Sequence, residues 1–521
     1  MMINKYAFYL PLILILCAAV FYPSFNNKFT NIDDNLLVTE NPAIQTLTLN
    51  SVKHIFTSPI NYEYRPITYI LYAVQYKFFG LNPRGYHAVS LILHLLNTAL
   101  IFIFAMVLTK HYFLAIFTSI IFGIHPLQVQ PVAWIAGQDD LVYTTFYLLT
   151  LIYYSTQKRE GNRAYHIFCY TLFLLALLSK PLAVTIPFAL VLIDFYSEGK
   201  LAVKQLINKI PFIIIALAWA GFTITTLGMS REMMNVQNRL FDLRLTFYEL
   251  SIYFSKIILP TKLACIYPSN SLNNILSVII VPAIIYFIYY IAKKDRLIFF
   301  GAVFAGITIF PVLHIFVVQA ISDHRMYLTM AGIALMISEL LLITQCFLNK
   351  TFHNKLGTTV IIITCILITI TLSLLSNSRT KVWFNSYTLW NTMLKDYPDN
   401  ELALAYRGKA YFKDGMYDKA LIDYNKSLSI KLYPSTLKNR GELYCAIGEY
   451  EAAIPDLTLA INRTPHKFEA LVLRGNAYYQ LKKYQNAIDD YNEAIKQDPN
   501  YELLYSSRAA AYSKIREKHP E

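Results

Sequence analysis

Residues 6–23, YAFYLPLILILCAAVFYP, run for eighteen positions without one charged side chain. In lipid a single segment satisfies its backbone polar groups internally by coiling into a helix. Ten further apolar runs follow, near 86–109, 112–125, 141–156, 165–179, 181–196, 210–228, 275–292, 297–316, 326–347 and 356–376. Several are shorter than the roughly 20 residues a straight crossing needs. Hydrophobic residues make up 55% of the chain and charged residues 15%, an unusual balance for a soluble protein. The expected fold class is all-α, with about eleven membrane spans in residues 1–376. Lys5 and the run after it have the outline of a signal peptide. No small-x-small cleavage site follows in FYPSFNNKF, so this helix is expected to be retained.

Charge supplies an orientation. The short connectors QKREGNR (157–163), EGKLAVKQLINK (198–209), KKDR (293–296) and KTFHNK (350–355) are basic, which assigns them to the cytoplasm. The stretches 66–80 and 246–260 are apolar but carry polar residues and lysines, and read as helices lying in the outer interface. This arrangement places the C-terminus outside the cytoplasm. Of the 79 charged residues, 34 fall in 400–521 and 45 in the first 399, so a soluble region follows the membrane region. The net charge of +13 lies mainly in the membrane part, which fits topology and lipid contact and gives no reason to expect nucleic acid.

The soluble region repeats. Gly408, Gly441 and Gly475 recur at spacings of 33 and 34, with Tyr411, Tyr444 and Tyr478 three residues later and Ala420, Ala453 and Ala487 twelve later. Tyr424, Leu457 and Tyr491 complete a fourth column, and Pro465 and Pro499 close two units. These columns make the tetratricopeptide pattern. The expected division is a junction and half-repeat at 377–400 followed by repeats over 401–521. Stacked helix pairs of this kind present a curved surface that binds peptides or other domains.

Polar residues gather on the outer side: Asp33, Asp34, Arg65, His125, Asp139, Asp140, Lys180, Arg231, His324 and Arg325. Asp33 and Asp34 follow the first helix directly, where a carboxylate can act as a base. Arg65 in YRP, Lys180 in SKP and Arg325 in DHR stand at helix ends, where cations suit a lipid-anchored phosphate. The plain alternative for each cation is snorkelling at the interface. His87 and His94, with Asn97 nearby, suit interhelical hydrogen bonds better than a metal. The six cysteines form no C-x-x-C pair, and there is no phosphate-binding G-x-x-x-x-G-K, no G-x-S-x-G and no H-E-x-x-H. No ligand set calls for a cofactor; a divalent metal at the aspartates stays open.

In order along the chain come IDDNLLVTENPAI, YRPITYILYAVQYKFFGLNPRGYHAVSLILHLLN, HPLQVQPVAWIAGQDDLVYTTFYLL, LLSKPLAVTIPFALVLID and HRMYLTMAGIAL, then the repeats. This series resembles the transmembrane and tetratricopeptide repeat-containing O-mannosyltransferases, members of the GT-C class of glycosyltransferases. The resemblance implies an inverting enzyme that moves a sugar from a polyprenyl-phosphate donor to an acceptor hydroxyl outside the cytoplasm. It implies Asp33 and Asp34 as catalytic and puts Lys180 and Arg325 in family motifs; with Arg65, these are the cations expected to bind the donor phosphate. His125, Asp139, Asp140, His324 and Tyr327 are further candidates. Pro181 stands where the family's SKE motif has Glu, and HRMYLTM keeps Arg325 and Tyr327 but lacks the proline of RYLYLP. The short loops favour a bacterial inner membrane, with the repeats extracytoplasmic. Two other readings are a non-enzymatic scaffold that recruits partners through its repeats, and a transporter using Asp194 and Glu339.

Overall fold

Every one of the eleven apolar segments contains a helix in the computed structural model: Tyr9–Phe21, Pro83–Thr109, Tyr112–Ile124, Gln138–Gln157, Arg163–Ser179, Ile186–Glu198, Ile210–Thr226, Ser271–Ala292, Arg296–Ile309, Thr329–Phe352 and Leu356–Val382. The structure describes residues 8–518 apart from 62, 158–162, 227–242, 269–270, 314–320, 353–354 and 466. Arg231, most of the connector 157–163 and the ends of the runs 210–228 and 297–316 lie outside the described residues. No strand occurs among the described residues, and the fold is all-α with many membrane-type helices. Among the described residues, six helices are long and apolar enough to cross a bilayer. A seventh joins them if Tyr112–Ile124 and Pro126–Ala133, bent by 53° at His125, count as one span. Tyr165–Ser179, Leu276–Ala292 and Arg296–Val312 are shorter apolar helices over their described residues, and Gln138–Gln157 carries two aspartates in its first turn.

The chain divides into two compact units, Met1–Asn385 and Ser386–Glu521. In the first, the opening and closing helices are tied at one end. Asn377 donates from Nδ2 to the Val20 carbonyl at 3.1 Å, Asn27 to that of Thr380 at 3.2 Å, and the Lys28 N–H to that of Phe384 at 2.8 Å. Helices Arg296–Ile309 and Thr329–Phe352 cross where two glycines face each other. A Cβ on Gly301 would stand 2.6 Å from the Gly332 carbonyl oxygen, so only glycine permits that approach. One interior polar group joins three segments: the buried His94 ring bridges the Tyr327 hydroxyl at 2.8 Å and the Gly123 carbonyl at 2.9 Å. The two interfacial segments are helices as well, Pro66–Phe79 and Leu243–Ile258. The first buries Thr68, Tyr69, Tyr72 and Gln75 and exposes Phe78 and Phe79.

The second unit is three helix pairs, Glu401–Lys413 with Tyr417–Ile430, Pro434–Ala446 with Tyr450–Arg463, and Phe468–Gln480 with Tyr484–Gln497. Ser386–Asp396 precedes them and Glu502–Lys518 follows. The glycine column has a steric cause. A Cβ on Gly408 would meet the Tyr424 ring at 2.7 Å, and one on Gly475 the Tyr491 ring at 2.8 Å. Pro434 opens its helix at the first position, where the missing N–H costs nothing.

Candidate active site

Two prolines bring the first pair of cations into place. A residue before proline is pushed out of the helical region, so the chain is non-helical at Arg65 and extended at Lys180 just before it coils at Pro66 and Pro181. Thr68 Oγ1 then donates to the Ser179 carbonyl at 3.1 Å, which sets the two helix boundaries side by side. Between them lies the first turn of Gln138–Gln157. Arg65 Nη1 reaches Asp139 Oδ2 at 2.5 Å, while Lys180 Nζ lies 3.1 Å from the same oxygen and 2.6 Å from Asp140 Oδ1. The other arm of Arg65 is paired with Glu63.

The aspartate pair enters from the loop after the first helix. Asp34 is fully buried and works as a clasp. Its Oδ2 accepts from the Thr30 N–H at 2.7 Å and the Thr30 hydroxyl at 2.9 Å; its Oδ1 accepts from the Ala136 N–H at 2.8 Å. The Trp134 indole N–H donates to the Ile32 carbonyl at 2.7 Å, so the two loops are fastened twice. Burial pushes the Asp34 carboxyl up to about 7, against the pull of those donors. Asp33 stands in the left-handed region at φ 63°, a conformation Asp tolerates better than most residues. It is half-buried and within electrostatic reach of both Asp34 and Glu63.

His324 joins this cluster electrostatically. Burial, with Lys180 and Arg325 nearby, holds its pKa well below the ordinary histidine value, so its ring is neutral. Its Nδ1 is 2.7 Å from the Ser322 hydroxyl and its ring lies against Trp134.

The remaining candidates are placed elsewhere. Arg325 is buried, donating to Glu249 at 3.2 Å and to the Val312 carbonyl at 2.9 Å. His125 Nδ1 accepts from the Leu127 N–H at 3.2 Å, and its Nε2 lies 3.2 Å from the Ile257 carbonyl. Tyr327 is committed to the interior network with His94 and Asn97. Glu63 went unnoticed in the sequence, although it stands two residues before Arg65 in YEYRP. Among the described residues no three His, Cys, Asp or Glu side chains are grouped to hold a metal ion.

Comparison with known proteins bears on this arrangement. The tetratricopeptide repeat family model matches residues 468–501. Protein O-mannosyl-transferase F38B6.6 of Caenorhabditis elegans is 25% identical over 402 residues, covering 74% of this chain and 56% of that protein. Protein O-mannosyl-transferase TMTC2 of Homo sapiens is 28% identical over 155 residues, 28% of this chain and 18% of the relative. The resemblance to the protein O-mannosyl-transferases holds. The chain spans about half the length of the first of these relatives and under a fifth of the second. Two solved structures show distant likeness. One is the Archaeoglobus fulgidus oligosaccharyltransferase tethered with an acceptor peptide (TM-score 0.42, 11% identity, 80% of this chain and 59% of that one). The other is ArnT from Cupriavidus metallidurans bound to undecaprenyl phosphate (TM-score 0.37, 12% identity, 89% and 82%).

Proposed function

We propose that this protein is a membrane glycosyltransferase that moves a sugar from a polyprenyl-phosphate donor to an acceptor hydroxyl, on a protein Ser or Thr or on an envelope glycan, at the extracytoplasmic face. The observation that carries this reading is the convergence of Arg65 and Lys180, from two separate parts of the chain, on the first turn of Gln138–Gln157, with Asp33 in electrostatic reach of Glu63, the partner of Arg65. The names of its relatives supply the reaction class.

The acceptor oxygen attacks the anomeric carbon, and its bond forms as the bond from that carbon to the phosphate oxygen breaks, with inversion. Asp33 takes the acceptor's proton. Arg65 and Lys180 receive the charge that builds on the departing lipid phosphate. Asp34, with both oxygens engaged, positions Asp33 by holding the first loop against Trp134–Ala136. Arg325, already paired with Glu249, supports the fold around His324. The repeats select the acceptor.

The test is transfer of labelled sugar from polyprenyl-phosphate mannose by the purified full chain. Asp33→Asn should lower turnover by about a hundredfold or more while expression and membrane insertion stay normal. Full activity in that variant removes Asp33 as the base, and no transfer by the unmodified chain leaves the scaffold reading.

A further inference from the structure

The cations assigned to the donor phosphate are already occupied. Two cations, Arg65 and Lys180, are held by three carboxylates: Asp139 bridges both, Asp140 takes Lys180 and Glu63 takes Arg65. An anion arriving here meets a site that is not electropositive, and one carboxylate has to yield.

The three differ in how firmly they are held. The side chains of Asp139 and Asp140 are 4% and 3% exposed, in the first turn of a helix, and both lie within 3.1 Å of Lys180 Nζ. Glu63 is 36% exposed, sits in a connecting segment and contacts one cation. Its backbone is fixed independently of its side chain: Glu63 and Ile60 exchange N–H···O=C bonds of 2.9 Å in both directions. The carboxylate is therefore free to swing while the chain stays in place. The groups facing it are Arg65, Lys180, Asp139 and Asp33, with Tyr69 behind. Asp139 and Asp33 both repel it, so its hold on Arg65 is opposed from two sides.

We infer that Glu63 is a placeholder: without donor it occupies the arm of Arg65 that the lipid phosphate takes, and it turns out to solvent when the donor binds. Glu63 is thus a positioning residue that sets donor affinity, and Asp139 is the fixed carboxylate that keeps Arg65 and Lys180 aimed throughout. The inference rests on the donor reading above.

Its test is binding of polyprenyl phosphate without sugar to the full chain in nanodiscs, alongside donor KM and kcat. Glu63→Gln removes the competing charge and keeps the size. It should bind the lipid phosphate about two- to fivefold more tightly, the range expected of a half-exposed ion pair. Donor KM should fall with it, by more than any change in kcat. Glu63→Asp, which retains the charge, should keep affinity near that of the unmodified protein. Weaker or equal binding by Glu63→Gln overturns the placeholder and makes Glu63 a simple support for Arg65. If the unmodified chain and Arg65→Ala bind the lipid phosphate equally, the donor site itself is misassigned, and the placeholder falls with it.

Discussion

The repeat unit and the membrane unit both use cation–carboxylate pairs, and they use them in opposite ways. In the repeats, Arg407, Arg440 and Arg474 each grip one aspartate with two parallel bonds: Asp423 at 2.8 Å twice, Asp456 at 2.7 and 2.8 Å, Asp490 at 2.9 and 2.7 Å. The remaining arm reaches Asn391, Asn425 or Thr458 on the preceding helix. Each such site is one charge against one charge, with the arginine's fork spent on fixing helix to helix. At the candidate active site two cations serve three carboxylates, and one of those is half open to water. Burial in the membrane unit does not by itself cause this. There Lys209, 1% exposed, meets Asp194 at 2.7 Å and the Tyr154 hydroxyl at 2.6 Å, while that hydroxyl donates to Asp194. A closed pair stabilises architecture; an unbalanced, partly wet cluster retains the capacity to exchange partners.

The sharpest way to break the comparison is to open a closed pair. Lys209→Met strands the Asp194 carboxylate in the interior, and should cost about 3–5 kcal/mol of stability. It lies outside the proposed site, so donor KM of the protein that remains folded should not move. Thermal unfolding in detergent gives the first quantity and donor titration the second. Lys180→Ala should reverse the pattern, with donor use lost more than stability. Equal effects of the two variants on donor KM would erase the distinction.

A middle-sized effect is expected in the repeats. Arg440→Ala removes a two-bond grip on a mostly buried aspartate, and should destabilise that unit by about 1–3 kcal/mol. Limited proteolysis of the full chain should find the helix pair Pro434–Ala446 and Tyr450–Arg463 cut earlier. Polyprenyl-phosphate binding should be unaffected. Loss of that binding would make the ladder part of the donor site.

The smallest effect is a pH slope. Asp34, pushed up to about 7 by burial, holds a proton in the folded chain over a range where the unfolded chain has released it. Its contribution is fully present below the ordinary aspartate range and is lost as pH rises through about 7. The melting temperature should therefore fall between pH 4 and pH 7, and Asp34→Asn should flatten the slope. Asp323, raised to about 6 by burial, has the same sign and should leave a residual slope. An unchanged slope in Asp34→Asn would show that its three donors keep it ionised.

The helices and the repeats are legible in the sequence, because both are written in local periodicity. Runs such as 6–23 have no alternative to a helix in lipid, and the glycine and tyrosine columns encode contacts that recur at a fixed spacing. The arginine ladder is legible too, since Arg407, Arg440 and Arg474 each stand one residue before a column glycine. That Arg65 and Lys180 stand at helix starts could be read from the prolines that follow them. Their partners could not. Arg65 meets Asp139 across 74 residues and Lys180 meets Asp140 across 40, and neither separation leaves a periodic trace. The tertiary structure alone decided that Thr68 would dock on Ser179, that Arg325 would turn inward to Glu249, and that Glu63 would complete the cluster. Which charges meet depends on how helices pack, and packing is a property of the whole unit that no single segment carries.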